Sequence, residues 1–281
     1  MNNIIYIILP VHNRKDTTIN FINNLKKQTY KNFKLILVDD GCEDGTVESV
    51  SKIIDDIVIL KGNGNLWWAG SLQKAYNYLK KNIKENYNDF VLIINDDTEI
   101  EEDFLENGLK IMIKNDKSIL QAKGYSLYQK DKCIDSGAFI NWKNFTFSSN
   151  SDNINCLTTR GLLIKFKDFI DIGGFHPILL PHYASDIEYT FRFYKNGFKL
   201  LVDDSFKIFI DDLKTGISIN SLYKYNFFYF LKKMFSKKCI DNPITMINLI
   251  LISCPYKYKI QNILRIIKRT FISILKYNEK R

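Results

Sequence analysis

Three runs of this sequence place acids, amides or glycines where an apolar segment ends. Asn95-Asp96-Asp97 follows Val91–Ile94, Asp39-Asp40-Gly41 follows Leu35–Val38, and Lys61-Gly62-Asn63-Gly64-Asn65 follows Ile57–Leu60. Carboxylates clustered at the rim of a low-dielectric sheet repel one another unless a cation or a ligand donor joins them. Hard oxygen ligands of this kind suit Mg2+ or Mn2+ holding a diphosphate. The bland reading of both acid runs is a solvated turn that caps the next helix. A fourth run, Pro181–Arg192, carries Asp186 and Glu188. If it is helical, Glu188 and Arg192 form an i,i+4 ion pair. Asp186 then sits in the first turn, either as a dipole cap or as a general base presented at a cleft.

The elements that must position these groups follow from the apolar pattern. Ile4–Leu9, Leu35–Val38, Ile57–Leu60 and Phe90–Ile94 read as strands buried on both faces. Helical patterns follow from Asp16, from about Thr46 and over Ala69–Lys81. Strand and helix thus alternate through the first hundred residues. That predicts an α/β fold with a mostly parallel twisted sheet flanked by helices. Ligands of such sheets bind beyond the carboxyl ends of the strands. Residues 120–165 read as hairpins and loops. Asp168–Ile172 and Ser185–Asn196 read as helices, Lys199–Val202 as a strand, and the segment beyond 220 as two or three helices interrupted by Pro243 and Pro255.

The Gly62–Gly70 run lacks the G-x-G-x-x-G spacing of a dinucleotide loop and follows the third strand. Its glycines allow close backbone approach, and a helix start favours phosphate. Of the paired tryptophans, Trp67 and Trp68, at least one reads as core, and either suits stacking on a base or sugar.

The chain has 281 residues, 46% of them hydrophobic and 25% charged, which is a globular composition. Its five cysteines include no C-x-x-C pair, which argues against a zinc framework and fits a reducing compartment. No basic leader precedes the first apolar run, and no apolar run approaches the roughly 20 residues that span a bilayer. Net charge is +9, a value that by itself suggests nucleic acid. Residues 1–220 hold 27 Lys and Arg against 29 Asp and Glu, while residues 221–281 hold 13 against 2. The excess therefore belongs to the C-terminal segment, and no nucleic-acid partner is expected for the body. The segment carries an apolar helical stripe of Ile260, Ile263, Leu264, Ile267, Phe271, Ile274 and Leu275, opposed by Lys259, Arg265, Lys268, Arg269 and Lys276. Such helices lie at anionic lipid surfaces. The competing reading packs the stripe on the body or on a second subunit of a homodimer.

Taken in order, Ile8–Thr46, Gly62–Gly70, Val91–Ile100 and Arg160–Arg192 resemble the family 2 glycosyltransferases, inverting enzymes of the GT-A fold. The resemblance covers about residues 4–205, and the Gly62–Gly70 run looks like that of a rhamnosyltransferase-like, polysaccharide-building subgroup. It implies a catalytic domain over 1–220, with a nucleotide-sugar half to about 120 and an acceptor half beyond, followed by a basic helical extension over 221–281. It implies that Pro10, Val11 and Asn13 line the nucleotide pocket and that Asp39 and Asp40 recognise a pyrimidine. Asn65, Trp68 and Gln73 fall on the donor side, with Asn95 and Asp96 beside the metal-binding Asp97. Asp186 matches the catalytic base, with Ser185 replacing the usual first acid. His182 and Arg160 are acceptor-side candidates. No histidine follows His182, so Asp211 stands as a candidate for the remaining metal ligand, or diphosphate and water complete the shell. The implied reaction moves a sugar from a UDP- or dTDP-sugar to a glycan or lipid-linked acceptor, at the cytoplasmic face of a membrane. Competing readings are a nucleotidyltransferase-like α/β enzyme, which would want a Gly-rich loop with a phosphate-contacting cation after the first strand, and a non-catalytic scaffold, which would tolerate loss of Asp97 or Asp186.

Overall fold

A computed structural model describes residues 3–83, 88–149, 153–212 and 217–279. Lys280 and Arg281 of the basic segment lie outside the described residues. The first half runs β1 (Ile5–Val11), α1 (Lys15–Lys26), β2 (Phe33–Asp39), α2 (Thr46–Ser51), β3 (Ile57–Lys61), α3 (Trp67–Asn82) and β4 (Phe90–Ile93). Strand β1 pairs in parallel with β2 and β4, and β2 in parallel with β3. All four strands therefore end on one edge, and each acid or glycine run named above emerges there.

The β1 side chains show why the sheet is covered on both faces. Ile5, Ile7 and Leu9 enter one core with Phe21, Ile22 and Leu25 of α1. Tyr6 and Ile8 enter the other, with Leu72, Ala75 and Leu79 of α3. Alternate residues point to opposite faces, so an uninterrupted apolar strand needs a helix on each side.

The second half is mixed. It comprises β5 (Thr98–Ile100), α4 (Phe104–Lys114), β6 (Ser118–Ser126), β7 (Cys133–Asp135), β8 (Ala138–Asn141), β9 (Thr146–Ser149), β10 (Leu162–Lys165), α5 (Phe166–Asp171), α6 (Ser185–Lys195) and β11 (Lys199–Ile210). The large sheet has the order β3-β2-β1-β4-β10-β6-β11-β5, with β7 on β6, while β8 and β9 form a separate hairpin. Strand β10 is antiparallel to both β4 and β6, so the sheet is parallel only in part. Three elements here go beyond the sequence reading. Helix α4 buries Phe104, Leu105, Leu109 and Met112 against the first core. Four-residue β10 occupies the middle of the sheet. Strand β11 continues past Val202 to Ile210 across a register shift between Asp203 and Lys207. Asp203 folds back there to accept from the Ser205 amide at 2.9 Å, which explains how an acidic stretch stays in a strand.

The C-terminal segment forms α7 (Ile219–Leu222), α8 (Phe227–Met234), α9 (Pro243–Ser253) and α10 (Tyr256–Glu279). Pro243 opens α9 and Pro255 immediately precedes α10, where a missing amide donor costs nothing. Leu249, Ile250, Cys254 and Ile266 share a core with Ile140, Trp142, Leu180 and Phe191. Asn262 donates to the Trp142 carbonyl at 2.7 Å. One face of α10 thus packs on the body. The opposite face leaves Ile260, Leu264, Ile267, Phe271 and Leu275 exposed, with Ile260 at 75%. Ile263 and Ile274, which the sequence places in the same stripe, are partly buried instead. No described helix is long and apolar enough to cross a membrane.

Candidate active site

The acid run after β4 is held by a cation that the sequence reading did not single out. Arg14 donates through Nη1 to Asp96 at 2.8 Å and through Nη2 to Asp97 at 3.0 Å. Thr18 of α1 donates to the second Asp96 oxygen at 2.8 Å. Asp96 is buried, and burial raises its pKa while Arg14 and Thr18 pull it down. Asp97 differs. Its Oδ1 is buried and has no hydrogen-bond partner. Beyond the paired Ile210–Thr98 rung of β11 and β5, the next residues on the two strands are Asp211 and Asp97, so both acids leave that ladder at the same end. Asn95 turns the corner, its carbonyl accepting from Thr98 Oγ1 at 2.9 Å.

The loops after β1, β2 and β3 lock together beside it. Pro10 and Val11 pair with Val38 and Asp39. The Asn13 side chain accepts from the Glu43 amide at 2.8 Å, and His12 Nδ1 lies 2.6 Å from the Asp40 carbonyl. Asp39 accepts from the Cys42 amide at 2.7 Å, closing the turn after β2. Asp40 is buried and accepts from the amides of Leu66 and Trp67 at 2.9–3.1 Å, so it holds the start of α3 rather than capping the next helix, α2, from a solvated turn. A Cβ on Gly41 would stand 2.7 Å from the Gly64 amide, so only a glycine lets these two loops meet.

The two tryptophans divide their roles. Trp68 packs against the second core and donates to Thr159 Oγ1 at 2.9 Å. Trp67 has a φ of 59°, donates to Asn65 at 2.6 Å and meets the His182 ring edge-on at 5.6 Å between centroids. Gln73 accepts from the Phe175 amide at 2.5 Å and donates to Asn77 at 2.8 Å, so its amide fastens the 174–175 turn to α3. A Cβ on Gly174 would collide with that amide at 2.1 Å.

Asp186 lies in the first turn of α6. The Ala69 amide donates to the Pro181 carbonyl at 3.0 Å, tying the start of α3 to the approach of α6. The Gly161 amide donates to the Ile93 carbonyl at 3.0 Å, which sets Arg160 beside the end of β4. Burial pushes the Asp186 carboxyl up to about 6, with Asp135 raising it further and the Ile187 amide and Arg160 opposing. Asp135, on β7, was not singled out from sequence. It accepts from Gln121 at 2.9 Å and Thr158 at 2.8 Å, and only the sheet brings it near Asp186. Tyr183 sits within the fields of Cys239, Arg160 and Asp186. Burial and Lys238 lower the His182 pKa, and its Nδ1 is buried without a partner. Glu188 pairs with Arg192 at 2.8 Å as expected, and Arg192 also holds the carbonyls of Ile172 and Gly174.

Asn13, Trp67 and Ala184 all have positive φ, and each lies at or just before the start of a helix at this edge. Backbone strain in bulky or non-glycine residues gathers at functional sites. Residues 6–172, more than half of the chain, match Glycosyl transferase family 2. The chain belongs to this family. It is 26% identical over 170 residues to the UDP-Glc:alpha-D-GlcNAc-diphosphoundecaprenol beta-1,3-glucosyltransferase WfgD of Escherichia coli, covering 58% of this chain and 63% of that one. An uncharacterized glycosyltransferase of Haemophilus influenzae is 30% identical over 112 residues, which is 40% of this chain and 43% of that one. The chain thus matches less than two thirds of the length of either relative. The S. aureus TarS structure with UDP-GlcNAc superposes with a TM-score of 0.57 at 17% identity, over 96% of this chain and 72% of that one. The mannosyltransferase PcManGT from Pyrobaculum calidifontis with GDP-Man and Mn2+ gives 0.53 at 14%, over 73% and 56%. These likenesses establish the GT-A fold of this glycosyltransferase.

Proposed function

We propose that this glycosyltransferase inverts configuration as it moves a sugar from a UDP- or dTDP-sugar to a lipid-linked glycan, with Asp186 as general base. The observation that carries this reading is the Asp186 carboxyl. It sits in the first turn of α6 within the fields of Asp135 and Arg160, and burial pushes it up to about 6. A base is most effective near the working pH, and this carboxyl is ionised yet proton-hungry at neutrality. One displacement at the anomeric carbon needs no enzyme nucleophile. The acceptor hydroxyl passes its proton to Asp186 as its oxygen attacks, and the nucleoside diphosphate leaves. Arg160 and His182 border the acceptor side, as Trp67 does.

The donor nucleotide would lie across the ends of β1 and β2, against Pro10, Val11, Asn13 and Asp39. Asp40 shapes that floor by fixing the start of α3, with Asn65, Trp68 and Gln73 alongside and Asn95 and Asp96 at the rim. Asp97 fits a divalent cation because its Oδ1 is a buried acceptor without a donor. Asp97, with Asp211 at the same ladder end, would hold Mg2+ or Mn2+. Among the described residues no group of three His, Cys, Asp or Glu side chains is gathered as a metal cage. A site of one or two carboxylates completed by substrate phosphates and water is the usual Mg2+ arrangement. When bound, the ion supplies Lewis-acid stabilisation to the departing diphosphate.

The lipid-linked acceptor is supported by the Escherichia coli relative, whose printed acceptor is a diphosphoundecaprenol, and by the exposed apolar stripe of α10 among lysines. The stripe would rest on an anionic membrane surface from the cytoplasmic side. The test of the reading is Asp186→Asn assayed against UDP- and dTDP-sugars with Mn2+. Transfer should fall by orders of magnitude while UDP still binds. Normal turnover would sink the assignment.

A further inference from the structure

The lysine-rich turn between α8 and α9 reaches the active site. Lys237 Nζ lies 5.1 Å above the Trp67 ring centroid. Lys238 is close enough to His182 to act on it, and Cys239 close enough to act on Tyr183, which also feels Asp186. The turn is built to hold its shape. The Cys239 amide donates to Ser236 at 3.0 Å and the Ile240 amide to Ile217 at 2.9 Å. Asn242 donates to the Ser236 carbonyl at 3.0 Å while its oxygen caps α9. Cys239 is buried, whereas Lys237 and Lys238 are exposed. Neither lysine forms an ion pair among the described residues.

Two neighbouring cations on a fixed turn, placed over the mouth of a site and left without carboxylates, make a receptor for a polyanion. The buried, unpartnered His182 Nδ1 lies on the same wall and offers a further polar contact. We infer that Lys237 and Lys238 form a cationic lip that binds the diphosphate of a substrate at the mouth of the active site, so that the C-terminal segment supplies part of the substrate site. This rests on the glycosyltransferase reading for which substrate arrives, and the diphosphate is common to both candidates. It is either the diphosphate of the nucleotide sugar or the one linking lipid to glycan in the acceptor.

The experiment measures binding of UDP, of farnesyl diphosphate and of farnesol by calorimetry to the full chain, its K237A/K238A variant and its K237R/K238R variant. The alanine pair should raise the Kd of one diphosphate by about tenfold, the loss expected for charge-assisted contacts. The arginine pair should stay near wild type, and farnesol should be indifferent to either change. A rise confined to UDP assigns the lip to the donor, and one confined to farnesyl diphosphate assigns it to the acceptor. Changes below threefold for both diphosphates, equal loss in the arginine pair, or no diphosphate binding by the wild type would overturn the inference. The two readings fail separately. Lysine-dependent binding by a protein that transfers no sugar would leave the lip standing. Sugar transfer with unchanged affinities in K237A/K238A would remove the lip alone.

Discussion

The carboxylates after β4 and at the start of α6 occupy opposite electrostatic settings. Asp96 is desolvated, but a guanidinium and a hydroxyl answer its charge directly. Asp186 is desolvated with backbone amides and the field of Arg160 against it, and Asp135 adds to its difficulty. The first arrangement holds negative charge in place, where a cation can meet it. The second leaves a carboxylate that gains by taking a proton. On the proposed reading, the same side-chain chemistry would serve two tasks set by its surroundings.

The largest expected effect separates the clusters by reaction. Asp186→Asn should cut transfer by about 10²–10⁴-fold, the usual worth of a positioned base, with UDP affinity changed little. Asp97→Asn, or EDTA on the wild type, should instead weaken UDP binding as well as transfer. Tight UDP binding that ignores chelator in calorimetry would refute the role of Asp97. Next comes pH. A general base must be ionised to act, so if Asp186 is the base, kcat/KM should rise about tenfold per pH unit below about 6 and level off above it. A profile flat from pH 5 to 7 would remove the base assignment.

Stability gives the contrast its sharper form. A carboxyl raised from 3.8 to about 6 favours the folded state when protonated, so its ionised form costs stability as pH climbs through that window. Asp186→Asn should therefore stabilise the fold at pH 7, by up to about 3 kcal/mol, with the gain vanishing below pH 4. An equal melting-temperature difference at both pH values would contradict it. Arg14→Ala should do the reverse, destabilising by about 2 kcal/mol because Asp96 stays buried without its cation. Denaturant unfolding showing no loss would mean that Asp96 has another answer to its charge. The smallest structural change is expected from I260S/L264S/F271S on the outer face of α10. Binding to anionic vesicles should drop more than about tenfold with the fold intact. Unchanged flotation would turn that face toward a protein partner.

Legibility in the sequence followed the locality of the signal. The first four strands and their intervening helices are readable because both periods are carried by neighbouring residues, such as Ile5 to Leu9 and Leu72 to Leu79. The second half is harder. The four residues of β10 resemble the run into the next helix, and the acidic bulge of β11 looks like a strand end. Helix α4 went unread although its apolar face is regular. At the site, Asp97 and Asp186 were visible by position. Arg14, Asp135 and Lys237 were not, since each acts on a partner far along the chain. Trp67 and Trp68 were visible as a pair, but their division between cleft and core was not.

The sequence by itself determined the α/β alternation, the edge at which the acids gather and the division of charge between body and C-terminal segment. Those properties depend on residue type and short spacing. Only the tertiary structure decided that Arg14 holds Asp96 and Asp97, that Asp40 caps α3, and that Asp186 is desolvated. It also decided that the basic segment packs on the body with one face and leans Lys237 over Trp67. Desolvation and charge pairing depend on what the folded chain brings within a few ångströms, and separation along the chain does not record that.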